Sequence, residues 1–389
     1  MQRPGLAGRC IILRFAKLPL LDDCPGRLAA DTSPAKTVSK GGHAMRTRAL
    51  TLWAVIGLLA VFGSVAWPQQ KPQQQELRWG APPIGTAGHK ALVVLASLLN
   101  KEMPAYRISV LPTAGAIATV KGYAIKDLDG YYGSDIAFRE FAKDTDRFKG
   151  FKARAQRIPV QSFWSNTLEV GLAIHVRNKD KIKSWADLAG KRVFTGPLPF
   201  DTRVQTERAL AALGVKFVYP EIALPDVGSQ LESGAIDATT IYTSSESALP
   251  PWIAEVTRAA DWAALNPSPA EVATLKQKGF SVVEVAPQVY GRDTHTDKVI
   301  ELPFYYGFDV SLEVPEADVY AMLGIIERHA AELAAADPTF SQVAKDMAGF
   351  QKRGIESSAD LVPIHPGLAR WLREKGAWDT RWDGNIAQP

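Results

Sequence analysis

The sequence predicts an α/β protein built as two sheet-bearing units. Strand-like and helix-like segments alternate from about residue 77, a second alternating series starts near residue 178, and the strand-like stretch 307–314 leads into a long helical pattern that can return the chain to the first unit. Alternation of this kind favours a mainly parallel sheet with right-handed crossovers. No internal repeat of fixed period is present.

The elements follow in order. "ELRWGA" reads as a strand, "HKALVVLASLLNK" carries apolar residues at helical spacing, "YRISVLPT" reads as a strand and "GAIATVKGYA" as a helix. Asp127, Leu128, Asp129 and Gly130 form a turn signal that leads into "YYGSDIAF". The apolar stretch 168–177, "LEVGLAIHVR", opens the second series. "KRVFTG" is then a strand, 202–213 a helix stopped at Gly214, "VKFVYPEI" a strand, "VGSQLESGA" a helix and "IDATTIYT" a strand. "GFDVSLEV" and the helical "ADVYAMLGIIERHAAELAAA" complete the return.

At 389 residues with 46% hydrophobic and 22% charged residues, the chain can bury ordinary cores. The formal charge of +4 is unevenly spread: residues 1–66 hold nine basic and three acidic residues, leaving 36 basic against 38 acidic in the remainder. A near-neutral body without long runs of like charge argues against nucleic acid as a partner.

From Met45 the sequence supplies Arg46 and Arg48, an apolar run from Ala49 to Phe62, then Ser64, Val65 and Ala66, the order of a secretory signal cleaved after Ala66. An uncut membrane anchor is the alternative, because the run approaches spanning length. Residues 1–44 lack periodicity and are expected to lie upstream of the true start, with 45–66 as the signal and 67–76 as a Pro/Gln-rich linker. Both cysteines, Cys10 and Cys24, fall in this leader, so the mature chain has no disulfide and no thiolate chemistry. The expected location is the periplasm.

Enzymatic readings find little support. His89, His175, His295, His329 and His365 show no metal-site spacing, and neither a Gly-x-Ser-x-Gly elbow nor a phosphate loop is present. No cofactor, metal ion or catalytic residue is expected. The loop before the helix at 202 is a candidate for holding a negative group, with Thr202 and Gln205 as a capping box and first-turn amides free to bind an anion. Tyr131, Tyr132, Phe200 and Tyr242 lie at strand ends or in the following loops, where open α/β sheets bind ligands. Asp135 is expected to cap the helix after its strand, and Trp371, Trp378 and Trp382 to fix the last helix to its lobe.

The tail "LVPIHPGLARWLREKGAW" resembles the C-terminal signature of the TAXI family of solute receptors, the periplasmic components of tripartite ATP-independent (TRAP) transporters. The resemblance rests on Pro363, His365, Pro366, Gly367, Arg370, Trp371, Glu374, Lys375 and Gly376, with "DLAGKRV" and "LESGAIDA" in the expected order. It implies a type II periplasmic binding fold, two α/β lobes joined by two crossover strands. Lobe 1 would hold residues 77–167 and 315–389, and lobe 2 residues 168–314, with hinge strands near 168–177 and 304–314. The implied function is an extracytoplasmic receptor that binds a small organic acid or amino-acid-like solute and delivers it to TRAP permease subunits. A receptor for an ABC importer and a ligand-dependent signalling protein are the alternatives, with an enzyme on this fold as a further one.

Carried over by position, the ligand loops are Gly85 and Thr86; Thr113, Ala114 and Gly115; Ser134 and Asp135; Gly196 through Phe200, Asp201 and Thr202; and Tyr242 and Thr243. Tyr132 joins them as a wall, and Arg203 as a receiver for a carboxylate. The chain departs from the family pattern at Pro82 and Pro83, at Ala116 and Thr119, and in the loop from Pro197 to Asp201. Asp201 adds a negative charge near the expected anion site, which implies a less anionic solute, or an amino group pairing with Asp201 or Asp135. Phe200, Tyr131 and Tyr132 would supply apolar walls.

Overall fold

The computed structural model describes residues 74–388; the leader, the expected signal at 45–66 and most of the linker lie outside the described residues. Among the described residues no helix is long and apolar enough to cross a membrane.

Strand β1 (Gln75–Ala81) pairs in parallel with β2 (Tyr106–Pro112) on one side and with β3 (Gly130–Ser134) on the other. The crossovers are α1 (Ala87–Glu102) and α2 (Ala116–Ala124), whose apolar faces turn Leu92, Leu95 and Val120 into the core. Helix α3 (Asp135–Lys143) leaves β3 directly and buries Ile136, Phe138 and Phe141. These elements make the first lobe.

Two long strands, β4 (Trp164–His175) and β9 (Val299–Val310), run from this lobe into the second. In the second lobe β5 (Val193–Phe194) pairs in parallel with β6 (Ala238–Ser244), which pairs antiparallel with β4. Helices α4 (Asp201–Ala212) and α5 (Val227–Ser233) connect them. Short strands β7 (Trp262–Leu265) and β8 (Val283–Val285) add to β4 and β9. The sheet order is β2-β1-β3-β9-β4-β6-β5.

The sheet is therefore mixed rather than mainly parallel. Strand β9 runs antiparallel to β3 and to β4, because the two long strands carry the chain across the lobes in opposite directions. Every residue of β4 is buried, including the polar Ser165, Asn166, Thr167 and Glu169, so the strand shows no alternation of buried and exposed positions. The expected strand "VKFVYPEI" reduces to one bridge, Val218 to Arg192, since Pro220 lacks the donor that a longer ladder needs. Helices α6 (Pro251–Ala259) and α7 (Pro269–Gln277), the latter opened by a Ser268–Glu271 capping box, fill a region that the sequence reading passed over.

The helical return is broken at His329 into α8 (Glu316–Arg328) and α9 (Ala330–Ala336). Helices α10 (Ser341–Lys345), α11 (Met347–Ser358) and α12 (Pro366–Glu374) then pack back on the first lobe. Gln351 grips the start of β4, its amide accepting from Trp164 N and donating to Trp164 O, both at 2.7 Å. Gly354 faces the same indole so closely that a Cβ there would lie 2.3 Å from the ring. His365 caps α12 by accepting from Gly367 N and contacts Val314 O, and burial pushes its pKa down to about 4, so it is neutral. A Cβ on Gly367 would lie 2.7 Å from Glu316 O, so α12 lies close against α8. The residues that carry the tail resemblance thus pack helices together.

Candidate functional site

The carboxyl ends of β1, β2 and β3 and the loop before α4 face each other across the interlobe cleft. A pocket of about 60 Å³ lies there. The first lobe contributes Pro82, Pro83 and Thr86 from the loop after β1, Gly115 and Ala116 at the start of α2, and Tyr132 of β3. The second lobe contributes Pro199 through Thr202 and Tyr242, and the crossing strands contribute Leu168 and Tyr306. Tyr132 and Tyr306 stack at 4.3 Å with planes 2° apart, making a flat aromatic wall. At well under the ~150 Å³ cavity that admits benzene, the inner pocket takes a small group only. It shares Thr86 and Ala87 with a mouth cavity of about 380 Å³ that reaches Ser247, Pro250 and the Lys90–Asp337 pair.

Three helix starts converge on the pocket. Thr86 caps α1 by accepting from His89 N, whereas α2 and α4 begin at Gly115 and Phe200 with no side-chain cap. Their first-turn amides give this end of the cleft a positive potential.

The expected capping box of Thr202 and Gln205 does not form. Helix α4 begins one residue earlier, at Asp201, because the Asp201 side chain is anchored across the cleft. Its Oδ2 accepts from Ser134 Oγ at 2.6 Å and from the Tyr306 hydroxyl at 2.8 Å. Its Oδ1 lies 2.6 Å from an Arg147 guanidinium nitrogen that donates to Pro199 O, so this contact is a charge pair rather than an aligned hydrogen bond. Thr202 is left with a buried hydroxyl that has no partner among the described residues.

Arg147 also donates Nε and Nη2 to the two oxygens of Glu140, each at 2.8 Å. Burial works against its charge, but the Asp201 and Glu140 carboxylates more than offset this and hold the guanidinium above its ordinary value. Glu140 moves the other way from a simple ion pair: its burial raises its pKa by more than Arg147 lowers it, and the nearby Asp201 charge adds to the rise. The arginine is thus firmly charged, and burial works against the charge of Glu140. Arg147 also lines a separate cavity of about 540 Å³ with Arg139, Lys143 and Arg208.

A model of the NMT1-like family matches residues 83–376. The chain belongs to the NMT1-like family. No curated protein matches it. Among solved structures it is similar to the periplasmic aliphatic sulphonate binding protein SsuA from Escherichia coli, at 16% identity over 82% of this chain and 93% of that one, with a TM-score of 0.42. It is also similar to the probable amino-acid ABC transporter extracellular-binding protein ytmK from Bacillus subtilis, at 11% identity over 71% of this chain and 100% of that one, TM-score 0.42. A third is the periplasmic nitrate-binding protein NrtA from Synechocystis PCC 6803, at 11% identity over 68% and 66%, TM-score 0.40. In this NMT1-like chain the two-lobed type II arrangement is evident from the strand order itself.

Of the residues picked out from sequence, Thr86, Gly115, Tyr132, Phe200, Asp201, Thr202 and Tyr242 line the inner pocket. Ser134 stands behind it, capping α3 and holding Asp201. Gly85 lies at the mouth, and Ala114 is exposed outside. Thr113 shapes its loop by bonding Ala81 O and Gly115 N. Gly196, at φ 108, places its carbonyl on the Tyr219 hydroxyl instead of on the pocket. Asp135 does not cap α3, since Ser134 does; it sits in the first turn, and burial raises its pKa to about 7. Arg203 is turned away, stacked 3.7 Å from the Tyr219 ring and paired with Glu207. Tyr131 is not a wall: successive residues of a strand face opposite sides, and its hydroxyl is tied to Val160 in the core. Thr243 belongs to a buried acid cluster with Glu169 and Glu301.

The sequence reading missed Arg147, Glu140, Leu168 and Tyr306. Arg147 lies in a short helical turn with no motif, so only the three-dimensional pairing reveals it. Tyr306 was legible in "PFYYGF" as one of an alternating aromatic set, in the strand already expected to cross between the lobes.

Proposed function

We propose that this NMT1-like protein is an extracytoplasmic solute receptor that closes on a small organic solute and delivers it to a membrane importer. The observation that carries the reading is the pocket itself, at the carboxyl ends of the strands, walled from both lobes and backed by the two crossing strands. Lobe 1 then comprises residues 77–167 and 315–389, lobe 2 residues 168–314, and the hinge lies in β4 and β9. A solute that touches both lobes favours the closed form by its differential affinity for it.

The tail resemblance supports a TRAP-type permease as the partner. An ABC importer is the rival, and uptake that survives collapse of the ion gradient would favour it. The protein is read as periplasmic, exported by the signal at 45–66, and as a binding protein rather than an enzyme; the described residues hold no cluster of three or more metal-ligating groups.

The test is thermal unfolding against a panel of small organic solutes. The wild type is expected to be stabilised by at least one of them, by about 2.7 kcal/mol at one hundred times its Kd. Ala87→Phe, which projects a ring from the first residue of α1 where the inner pocket meets its mouth, is expected to fold normally and to lose that stabilisation. Equal stabilisation of Ala87→Phe would contradict binding in this cleft.

A further inference from the structure

We propose that Asp201 is a built-in counter-ion standing where a solute's anionic group would stand, so that the chain latches its own lobes closed and the solute does not place an anionic group on Arg147. The inference rests on the reading of the cleft as a solute site and narrows the class of solute to one that leaves Arg147 to Asp201.

The carboxylate belongs to the second lobe, at the start of α4, yet its partners Ser134 and Arg147 belong to the first and Tyr306 to a crossing strand. It is 2% exposed. A bound anion that bridged the lobes would draw on the same three donors. Because Asp201 is tethered to the chain, it meets them without the entropy cost of capturing a free ligand.

The charges around Arg147 then disfavour a second anion there. Arg147 is the one cation of the set, and its remaining aligned donors are spent on Glu140 and on Pro199 O. One cation faces two carboxylates, so a carboxylate brought to Arg147 meets net negative charge in a dry site, which is unfavourable. An amino group is not disfavoured in this way: Asp201 Oδ1 accepts no aligned hydrogen bond among the described residues, so a solute amine that reached it would find an acceptor.

What remains is apolar wall and helix-start amides. Pro83, Leu168, Phe200 and the Tyr132–Tyr306 stack offer carbon surface, and the uncapped first turns of α2 and α4 offer backbone donors. The inner end of the solute is thus a small, flat group that meets these amides rather than Arg147.

Small-angle X-ray scattering with formate as a stand-in carboxylate tests the latch. The solute-free wild type is expected to be compact and indifferent to formate. Asp201→Ala is expected to have a larger radius of gyration and to return to the wild-type value when formate fills the vacated place, with an apparent formate affinity at least about tenfold above that of the wild type. Asp201→Ala combined with Arg147→Met is expected to stay open. A wild type already open without solute, an Asp201→Ala variant as compact as the wild type, or an equal formate response in the double variant would each overturn the proposal. Should Asp201→Ala fail the circular dichroism check for folding, Asp201→Asn is measured for opening alone by the same criterion.

A co-crystallised solute whose carboxylate sits on Arg147 would overturn the counter-ion role and leave the receptor reading intact. A latch that behaves as expected in a protein that no solute stabilises would support the counter-ion role and overturn the receptor reading.

Discussion

Arg147→Met is expected to destabilise the fold by about 3–5 kcal/mol at neutral pH, the usual cost of leaving buried charge without its partner. The Arg147 side chain is 14% exposed, and two carboxylates, Asp201 and Glu140, converge on its guanidinium. Removing it leaves both acids in a poorly hydrated cleft, with only the hydroxyls of Ser134 and Tyr306 still donating to Asp201. Two further results separate this cause from a packing defect. The loss is expected to shrink as pH falls and the orphaned acids take up protons, since their neutral forms need no counter-charge. The triple variant Arg147→Met, Glu140→Gln, Asp201→Asn is expected to recover most of the stability, because apolar or neutral replacement of a whole buried ion set is often close to neutral. Urea unfolding at two pH values measures all three proteins. A loss of under 1 kcal/mol, or one that does not vary with pH, would remove the charge account.

The second large effect concerns the buried acids beside the crossing strands. Glu169 of β4 and Glu301 of β9 both lie within hydrogen-bond distance of Thr243 Oγ1, at 2.7 and 2.8 Å. One hydroxyl carries one proton, so two simultaneous bonds require a carboxyl group to supply the second. Glu301, bonded also by Tyr290, is held far above the ordinary carboxylate range by burial, with the nearby Glu169 charge adding to the rise, and it is the proton carrier. Glu169 is the member that titrates, pushed up to about 7 by burial against the hydrogen bonds from Thr167, Glu246 N and Thr243. Asp309 and Asp135 are likewise raised to about 7, burial again leading.

The sign follows from proton uptake. Between the ordinary carboxylate value and about 7 the folded chain holds protons that the unfolded chain has released, so the stability these groups contribute is present at the acid end and is lost as pH rises through 7. His365, depressed to about 4, has the opposite slope in part of this window, but it is one group against four, Glu301, Glu169, Asp309 and Asp135. Stability is therefore expected to fall from pH 5 to pH 8. Glu169→Gln is expected to flatten that fall by about 3 kcal/mol, the free energy of a shift of two to three pKa units. Its amide can keep both acceptor bonds on one oxygen, while the Thr167 hydroxyl, which also reaches Gln342, turns to accept. A pH profile of the urea midpoint checks both statements, and an unchanged slope in Glu169→Gln would refute them.

The fold was largely legible because its signals are local. Helix periods in α1, α2 and α12 and the strand-like stretches of β1, β2 and β6 each read from sixteen residues or fewer. The direction of β9 was not legible, since antiparallel pairing with β3 depends on where the chain has travelled in between. The half-site in the loops after β1 and β2 and before α4 could be placed from strand ends. The partners of Asp201 could not, because Arg147 and Tyr306 are remote in sequence and no spacing rule links them. Read alone, Asp201 is a negative charge near the solute; its partners across the cleft are visible only in the fold.

The central claim, that the cleft between the lobes holds a solute, is tested most directly by mass spectrometry of small molecules released on denaturing protein purified from the cells that make it. The account predicts a near-stoichiometric small molecule from the wild type and none from Ala87→Phe. Release of the same molecule in equal amount from both, or of none from either, would contradict it.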